Sequence, residues 1–146
     1  MTDKTLDKKL SGAGLRGQSA GETSLCTVGQ SGSGLTYCGY DVADLAENAT
    51  FEEVAYLLFN GELPTTAELA EYKAELLAMR DIPKALKEVL KHIPKDAHPM
   101  DVMRTGCSFL GNVEPEVDFS EQNKAANRLL AAFPAIMCFW YKYSHD

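Results

Sequence analysis

The side chains best able to carry acid–base or metal chemistry in this sequence are its three histidines, His92, His98 and His145. His98 stands close to Asp96 and Asp101, but nearness along a chain does not converge ligands on one point. Pro99 favours a helix start immediately after it, so His98 reads as a local structural or capping residue. His92 falls near the end of an expected helix, where an imidazole interacts favourably with terminal carbonyls. His145 precedes Asp146, yet a neighbouring pair without an orienting third group is not a general-base constellation. None of the three is assigned a catalytic role.

The other candidates dissolve in the same way. Cys26, Cys38, Cys107 and Cys138 show no C-x-x-C spacing and no histidine at finger-like separation, so neither a structural metal nor an obligatory disulfide is expected. Cys107 and Cys138 lie on apolar helical stretches, where a thiol is expected to fill core space. The run Gly29-Gln30-Ser31-Gly32-Ser33-Gly34 is glycine-rich, but no Gly-Lys-Ser/Thr follows and no helix opens behind it. It reads as a hairpin turn rather than a phosphate loop. Lys84, Lys87, Lys91 and Lys95 recur at helical spacing and read as a solvated face. There is no serine elbow, HExxH motif or dinucleotide fingerprint. The residues alone therefore assign no catalytic, cofactor-binding or metal-binding side chain.

The elements that would position a site are mostly helical. Residues 1–23 are rich in Gly and Ser and form an expected irregular arm. Residues 24–40 form a small hairpin from the β-prone runs Ser24–Val28 and Leu35–Tyr37. Residues 41–146 are read as part of a large helical domain. Asp41 caps a short helix, and Thr50/Glu53 and Thr65/Glu68 have capping-box spacing ahead of two more. The second helix, ending near Asn60 and Gly61, should pack Phe51, Val54, Ala55 and Leu58 inward. The third, 66–80, carries a stripe of Leu69, Tyr72, Leu76 and Met79 and is broken by Pro83. A shorter helix to about His92 should bury Leu86, Val89 and Leu90.

Pro99 opens a further helix with an expected apolar face of Met100, Met103, Cys107 and Leu110. Gly106 within it implies close packing of another backbone. Ser120 is the expected cap of the last helix, which Pro134 should bend. Phe133, Ile136, Phe139 and Trp140 make that helix apolar on several sides, so it is expected inside a larger all-α domain, at a dimer interface, or both.

Composition sets outer limits. With 45% apolar and 24% charged residues the 146-residue chain can bury a core as one domain. A net charge of -7 repels phosphates and anionic headgroups, which argues against nucleic acid and membrane partners. Leu129 to Tyr141 is too short, and Pro134 too disruptive, for a membrane span. No basic leader precedes an apolar run, so a cytoplasmic setting is expected.

The run Phe51-Glu52-Glu53-Val54-Ala55-Tyr56-Leu57-Leu58-Phe59-Asn60-Gly61-Glu62-Leu63-Pro64-Thr65 resembles an early signature of the citrate synthase family. Leu35-Thr36-Tyr37-Cys38-Gly39-Tyr40-Asp41-Val42 and Asp44-Leu45-Ala46 occur in the matching order. Ser24-Leu25-Cys26-Thr27-Val28-Gly29, Ala97-His98-Pro99-Met100-Asp101-Val102-Met103-Arg104-Thr105-Gly106 and Phe139-Trp140-Tyr141-Lys142-Tyr143-Ser144-His145-Asp146 are similar, more narrowly, to its 2-methylcitrate synthase subgroup. The sequence departs from the pattern at Cys38, where family members commonly carry arginine, with its fork of donors.

The resemblance implies a homodimer with a large helical domain and a smaller closing domain. It implies condensation of propionyl-CoA with oxaloacetate to give 2-methylcitrate and CoA in propionate catabolism, with acyl-CoA as a substrate and no permanently bound cofactor. In that chemistry a carboxylate removes the proton beside the thioester carbonyl, histidines stabilise the enolate and assist attack, and arginines bind carboxylates. The family's catalytic histidine and aspartate motifs are expected beyond Asp146, which makes this chain by itself an inactive N-terminal portion. The alternatives are ordinary citrate synthase, using acetyl-CoA, and a stand-alone helical dimerisation or scaffold module.

Overall fold

The computed structural model describes residues 21–29 and 34–145. Most of the expected arm, the centre of the expected hairpin turn and Asp146 lie outside the described residues. The chain divides into two compact units, Met1–Ala49 and Thr50–Asp146.

The described part of the first unit is a three-stranded antiparallel sheet followed by a short helix. β1 (Cys26–Val28) pairs with β2 (Leu35–Tyr37), Thr27 opposite Thr36, and β2 pairs with β3 (Tyr40–Asp41), Tyr37 opposite Tyr40. The third strand adds to the two-strand expectation. Cys38 and Gly39 make the connection with φ of 47° and 91°, the pattern of a type I′ turn. Cys38 is the non-glycine residue that hid this turn from the sequence. Asp41 caps α1 (Val42–Asn48) as expected, its Oδ1 accepting from the Ala43 N–H at 2.7 Å.

The second unit is helical: α2 (Phe51–Asn60), α3 (Thr66–Ala78), α4 (Lys84–Lys91), α5 (Pro99–Val113), a 3₁₀ turn at Phe119–Glu121 and α6 (Gln122–His145). Both expected capping boxes are present. Thr50 Oγ1 accepts from Glu53 N–H at 3.4 Å while Glu53 Oε2 accepts from Thr50 N–H at 2.7 Å. Thr65 and Glu68 repeat the exchange at 3.3 and 2.8 Å. Each box satisfies two donors that an N-terminus otherwise leaves unpaired. These bonds also hold both glutamates below their ordinary pKa, the Thr50 hydroxyl leading at Glu53 and the Thr65 backbone at Glu68.

The long helix α6 packs against α3, α4 and α5 and organises two adjoining cores. In one, Ile82, Leu86, Leu90, Val102, Leu110, Ala132, Ile136 and Trp140 pack together. In the other, Ala55, Tyr72, Leu76 and Ala131 do. Each fully buried large side chain contributes about 1.5–3 kcal/mol over leaving it in water. The Trp140 indole N–H is not orphaned: it donates to the Ile93 carbonyl at 3.4 Å.

The packing corrects several expected faces. Phe51 is 66% exposed; α2 buries Ala55 as expected, with Leu57 in place of Phe51, and leaves Val54 and Leu58 half-buried. On α5, Met100 is 67% exposed, and the buried positions are Val102, Gly106 and Leu110. Cys107 is half-buried and Cys138 exposed, so neither thiol fills the core. Gly106 does permit close approach, but by a side chain rather than a backbone: a Cβ there would lie 2.8 Å from Ile136 Cγ2. At the start of α6 the capping group is Asp118, not Ser120. Asp118 Oδ1 accepts from Ser120 N–H at 2.7 Å and opens the 3₁₀ turn that leads into the helix. The helix runs on through Pro134, which supplies no N–H for the Leu130 carbonyl. No helix among the described residues is long and apolar enough to cross a membrane.

Candidate functional site

The fold sends the three histidines to different tasks. His98 is the N-cap of α5: its Nδ1 accepts the Met100 N–H at 3.1 Å, with Pro99 at the first helical position, where a missing donor costs nothing. The capping reading from sequence therefore holds. His92 stands at the C-cap position of α4 through its backbone, its main-chain N–H donating to the Val89 carbonyl at 3.1 Å. His145, in the last turn of α6, stacks on Tyr141 with ring centroids 4.2 Å apart, and its Nδ1 lies 3.0 Å from the Tyr141 carbonyl. Among the described residues, no group of three His, Cys, Asp or Glu side chains could hold a metal ion.

Two of the four lysines in the run make local attachments. Lys87 Nζ pairs with Asp81 at 3.1 Å, the Lys87 hydrogen bond holding that carboxyl below its ordinary pKa. Lys91 Nζ pairs with Glu88 at 2.7 Å and sits 5.7 Å from the Tyr143 ring centroid. Such exposed pairs add little stability.

The most developed polar arrangement is one that sequence reasoning missed. Arg128 projects from α6 into a cleft of about 440 Å³ bounded by Met79, the 114–117 segment, Glu121 and Lys124. Its Nε and Nη2 donate to the two carboxylate oxygens of Glu114 at 2.7 and 2.9 Å, while Nη1 donates to the Met79 carbonyl at 2.5 Å. The Glu114 bond holds Arg128 more firmly protonated, and Arg128 in turn holds Glu114 below its usual carboxylate range. One guanidinium thus ties together the carboxyl ends of α3 and α5 and the body of α6.

That geometry limits what the cleft can do. A fork already engaged bidentately is not available to a ligand's carboxylate. Glu114, Glu116 and Glu121 outnumber Lys124 and Arg128 there, so the cleft disfavours a phosphate-bearing ligand. It is a structural clamp. No local pattern announces it, because Glu114 and Arg128 belong to different elements.

A second link joins α3 to α6. The Tyr72 hydroxyl donates to Asn127 Oδ1 at 2.9 Å, and burial, then Glu75, raises the Tyr72 pKa. Beyond it, a groove of about 420 Å³ runs over Leu76, Leu130, Ala131, Pro134 and Ala135, with Arg80 and Glu52 along it. Its lining is apolar in the middle and carries one charge of each sign.

Comparison with known proteins supplies what the geometry alone does not. Residues 14–146 match the family model described as citrate synthase, C-terminal domain. The chain is 75% identical over 139 residues to 2-methylcitrate synthase of Shewanella oneidensis, a match covering 95% of this chain and 37% of that protein. It is 40% identical over 139 residues to 2-methylcitrate synthase of Mycobacterium tuberculosis, covering 94% of this chain and 35% of that protein. The crystal structure of citrate synthase from Thermotoga maritima shares its fold with a TM-score of 0.78 at 36% identity, covering 90% of this chain and 34% of that one. The chain thus spans little more than a third of the length of the relatives it matches.

Proposed function

The chain belongs to the citrate synthase family, and from that premise we propose that a protein carrying it at the relatives' length condenses propionyl-CoA with oxaloacetate, releasing CoA and 2-methylcitrate. The observation that carries this reading is the 75% identity to the Shewanella oneidensis enzyme over 95% of the chain. The reaction is an acyl transfer in which the acyl group becomes an alkyl group, with acyl-CoA as a substrate rather than a resident cofactor. Its setting is cytoplasmic propionate catabolism, and the working form is a homodimer.

Within such an enzyme these residues act as scaffold. Residues 1–23 serve as an arm, 24–40 as a hairpin and 41–146 as part of the large helical domain. His92, His98 and His145 take no part in the chemistry. The positive support is that the His98 ring is occupied as the cap of α5 and that the His145 ring stacks on its own helix. The clamp of Arg128, Glu114 and Met79 keeps α3, α5 and α6 in register rather than holding substrate.

The competing reading is condensation of acetyl-CoA, favoured by the fold shared with the Thermotoga maritima citrate synthase. The two acyl groups differ by one methylene, for which a pocket can discriminate by about 1–3 kcal/mol, or roughly 10–200-fold. Thiol release with both acyl-CoA substrates in competition, in the presence of oxaloacetate, separates them. A protein of the relatives' length should favour propionyl-CoA in kcat/KM by at least about tenfold; preference for acetyl-CoA would overturn the assignment. The 146-residue chain should release no thiol, and protein-dependent turnover by it would overturn the scaffold reading.

A further inference from the structure

The carboxyl end of α2 combines two features that together define a site of spontaneous covalent change. Asn60 is its last residue and is followed by Gly61, both exposed. With no side chain on the following residue, nothing shields the asparagine carboxamide from the next backbone nitrogen. Asn-Gly is accordingly the step at which intramolecular attack meets least steric resistance.

The fold occupies both reacting groups. Gly61 N–H donates to the Leu57 carbonyl at 2.7 Å, and Gly61 sits at φ 83°, ψ -5° as the left-handed cap. Asn60 Nδ2 donates to the Tyr56 carbonyl at 3.0 Å, engaging the carboxamide one turn back along the helix.

We propose that Asn60 is a latent deamidation site, held closed by the cap of α2 and opened when that last turn frays. On opening, Gly61 N attacks Asn60 Cγ. A C–N bond forms, the Cγ–Nδ2 bond breaks, and the side-chain nitrogen leaves as ammonia with the proton given up by the Gly61 amide. Water then opens the resulting succinimide at either carbonyl, leaving aspartate or isoaspartate at position 60.

Neither product restores the original end. A carboxylate at a helix C-terminus opposes the macrodipole, and it no longer donates to the Tyr56 carbonyl. Isoaspartate also lengthens the backbone by one carbon between Asn60 and Gly61, which misplaces the cap. The modification therefore records, irreversibly, that the turn has opened.

The test is incubation of the whole chain at mildly alkaline pH, native and in urea, with peptide mapping by mass spectrometry and measurement of released ammonia. A peptide of residues 51–65 under both conditions corrects for the solvent. Conversion in urea should be fastest at Asn60, ahead of Asn48, Asn112, Asn123 and Asn127, and should vanish from this peptide in Asn60→Gln. In the native chain it should be about tenfold slower, the factor matching one net hydrogen bond of about 1.4 kcal/mol. Equal rates at Asn60 and the other asparagines in urea would overturn the site. Equal native and urea rates at Asn60, after correction, would overturn its gating by the fold.

Discussion

The contact between Gly106 and Ile136 gives the sharpest test of how α5 and α6 fit together. A Cβ at position 106 would lie 2.8 Å from Ile136 Cγ2 and 3.1 Å from Cδ1, and Ile136 is fully buried, so it has nowhere to retreat. Replacing glycine by alanine inside a helix gains about 1 kcal/mol of helix propensity. Overpacking of a filled core costs about 1–3 kcal/mol. With the obstructing atom a branch methyl rather than a flexible tip, the upper part of that range applies, and Gly106→Ala should destabilise by a net ~1–2 kcal/mol. Ile136→Ala removes the three atoms nearest the virtual Cβ and should cost about 3–4 kcal/mol, because it leaves a cavity. In the double variant the added methyl fills part of that cavity and keeps its propensity gain. The combined loss should then fall short of the sum of the single losses by at least ~1 kcal/mol. Urea denaturation of all four proteins measures this, provided the slope of stability against urea stays constant. Strict additivity, or a stabilising Gly106→Ala, would refute the packing reasoning.

The Glu114–Arg128 pair makes stability depend on pH in a defined direction. Because the folded pKa of Glu114 lies below its unfolded value of about 4.3, its contribution is fully present above that value and is lost as pH falls through the folded pKa. The carboxylate side chain is 38% exposed, so solvent screening holds the contribution to roughly 1 kcal/mol. Glu114→Gln should accordingly be less stable than the parent at neutral pH and approach it as pH falls below the unfolded value and through the folded pKa, followed by denaturant midpoints across pH; a constant gap would count against the clamp. His98→Ala should lower stability by about 0.5–2 kcal/mol in thermal unfolding by removing the acceptor for Met100 N–H, and His98→Asn should recover most of it.

Local chemistry was legible in the sequence because its partners are near neighbours. Thr50 with Glu53 and Thr65 with Glu68 lie one helical turn apart, and His98 stands directly before Pro99, so side-chain type and spacing sufficed to place those caps. The β1–β2 pairing was legible from two β-prone runs separated by glycines. The family, too, was legible, carried by ordered motif runs across the whole chain.

What the sequence by itself determined, then, was a mainly helical chain of the citrate synthase family, the capped starts of α1, α2, α3 and α5, and the local employment of His98. Only the tertiary structure decided which side of each helix is buried. Several apolar stripes on α5 compete at helical spacing, and the choice of Val102, Gly106 and Leu110 over Met100 follows from where α4 and α6 lie. Phe51 is left exposed for the same kind of reason: an amphipathic period allows more than one inward face, and the neighbours select one. The third strand depended on Cys38 adopting a backbone region usually reserved for glycine. The Arg128 clamp depended on three elements meeting at one guanidinium, whose partners Met79 and Glu114 have no periodic relation to it along the chain.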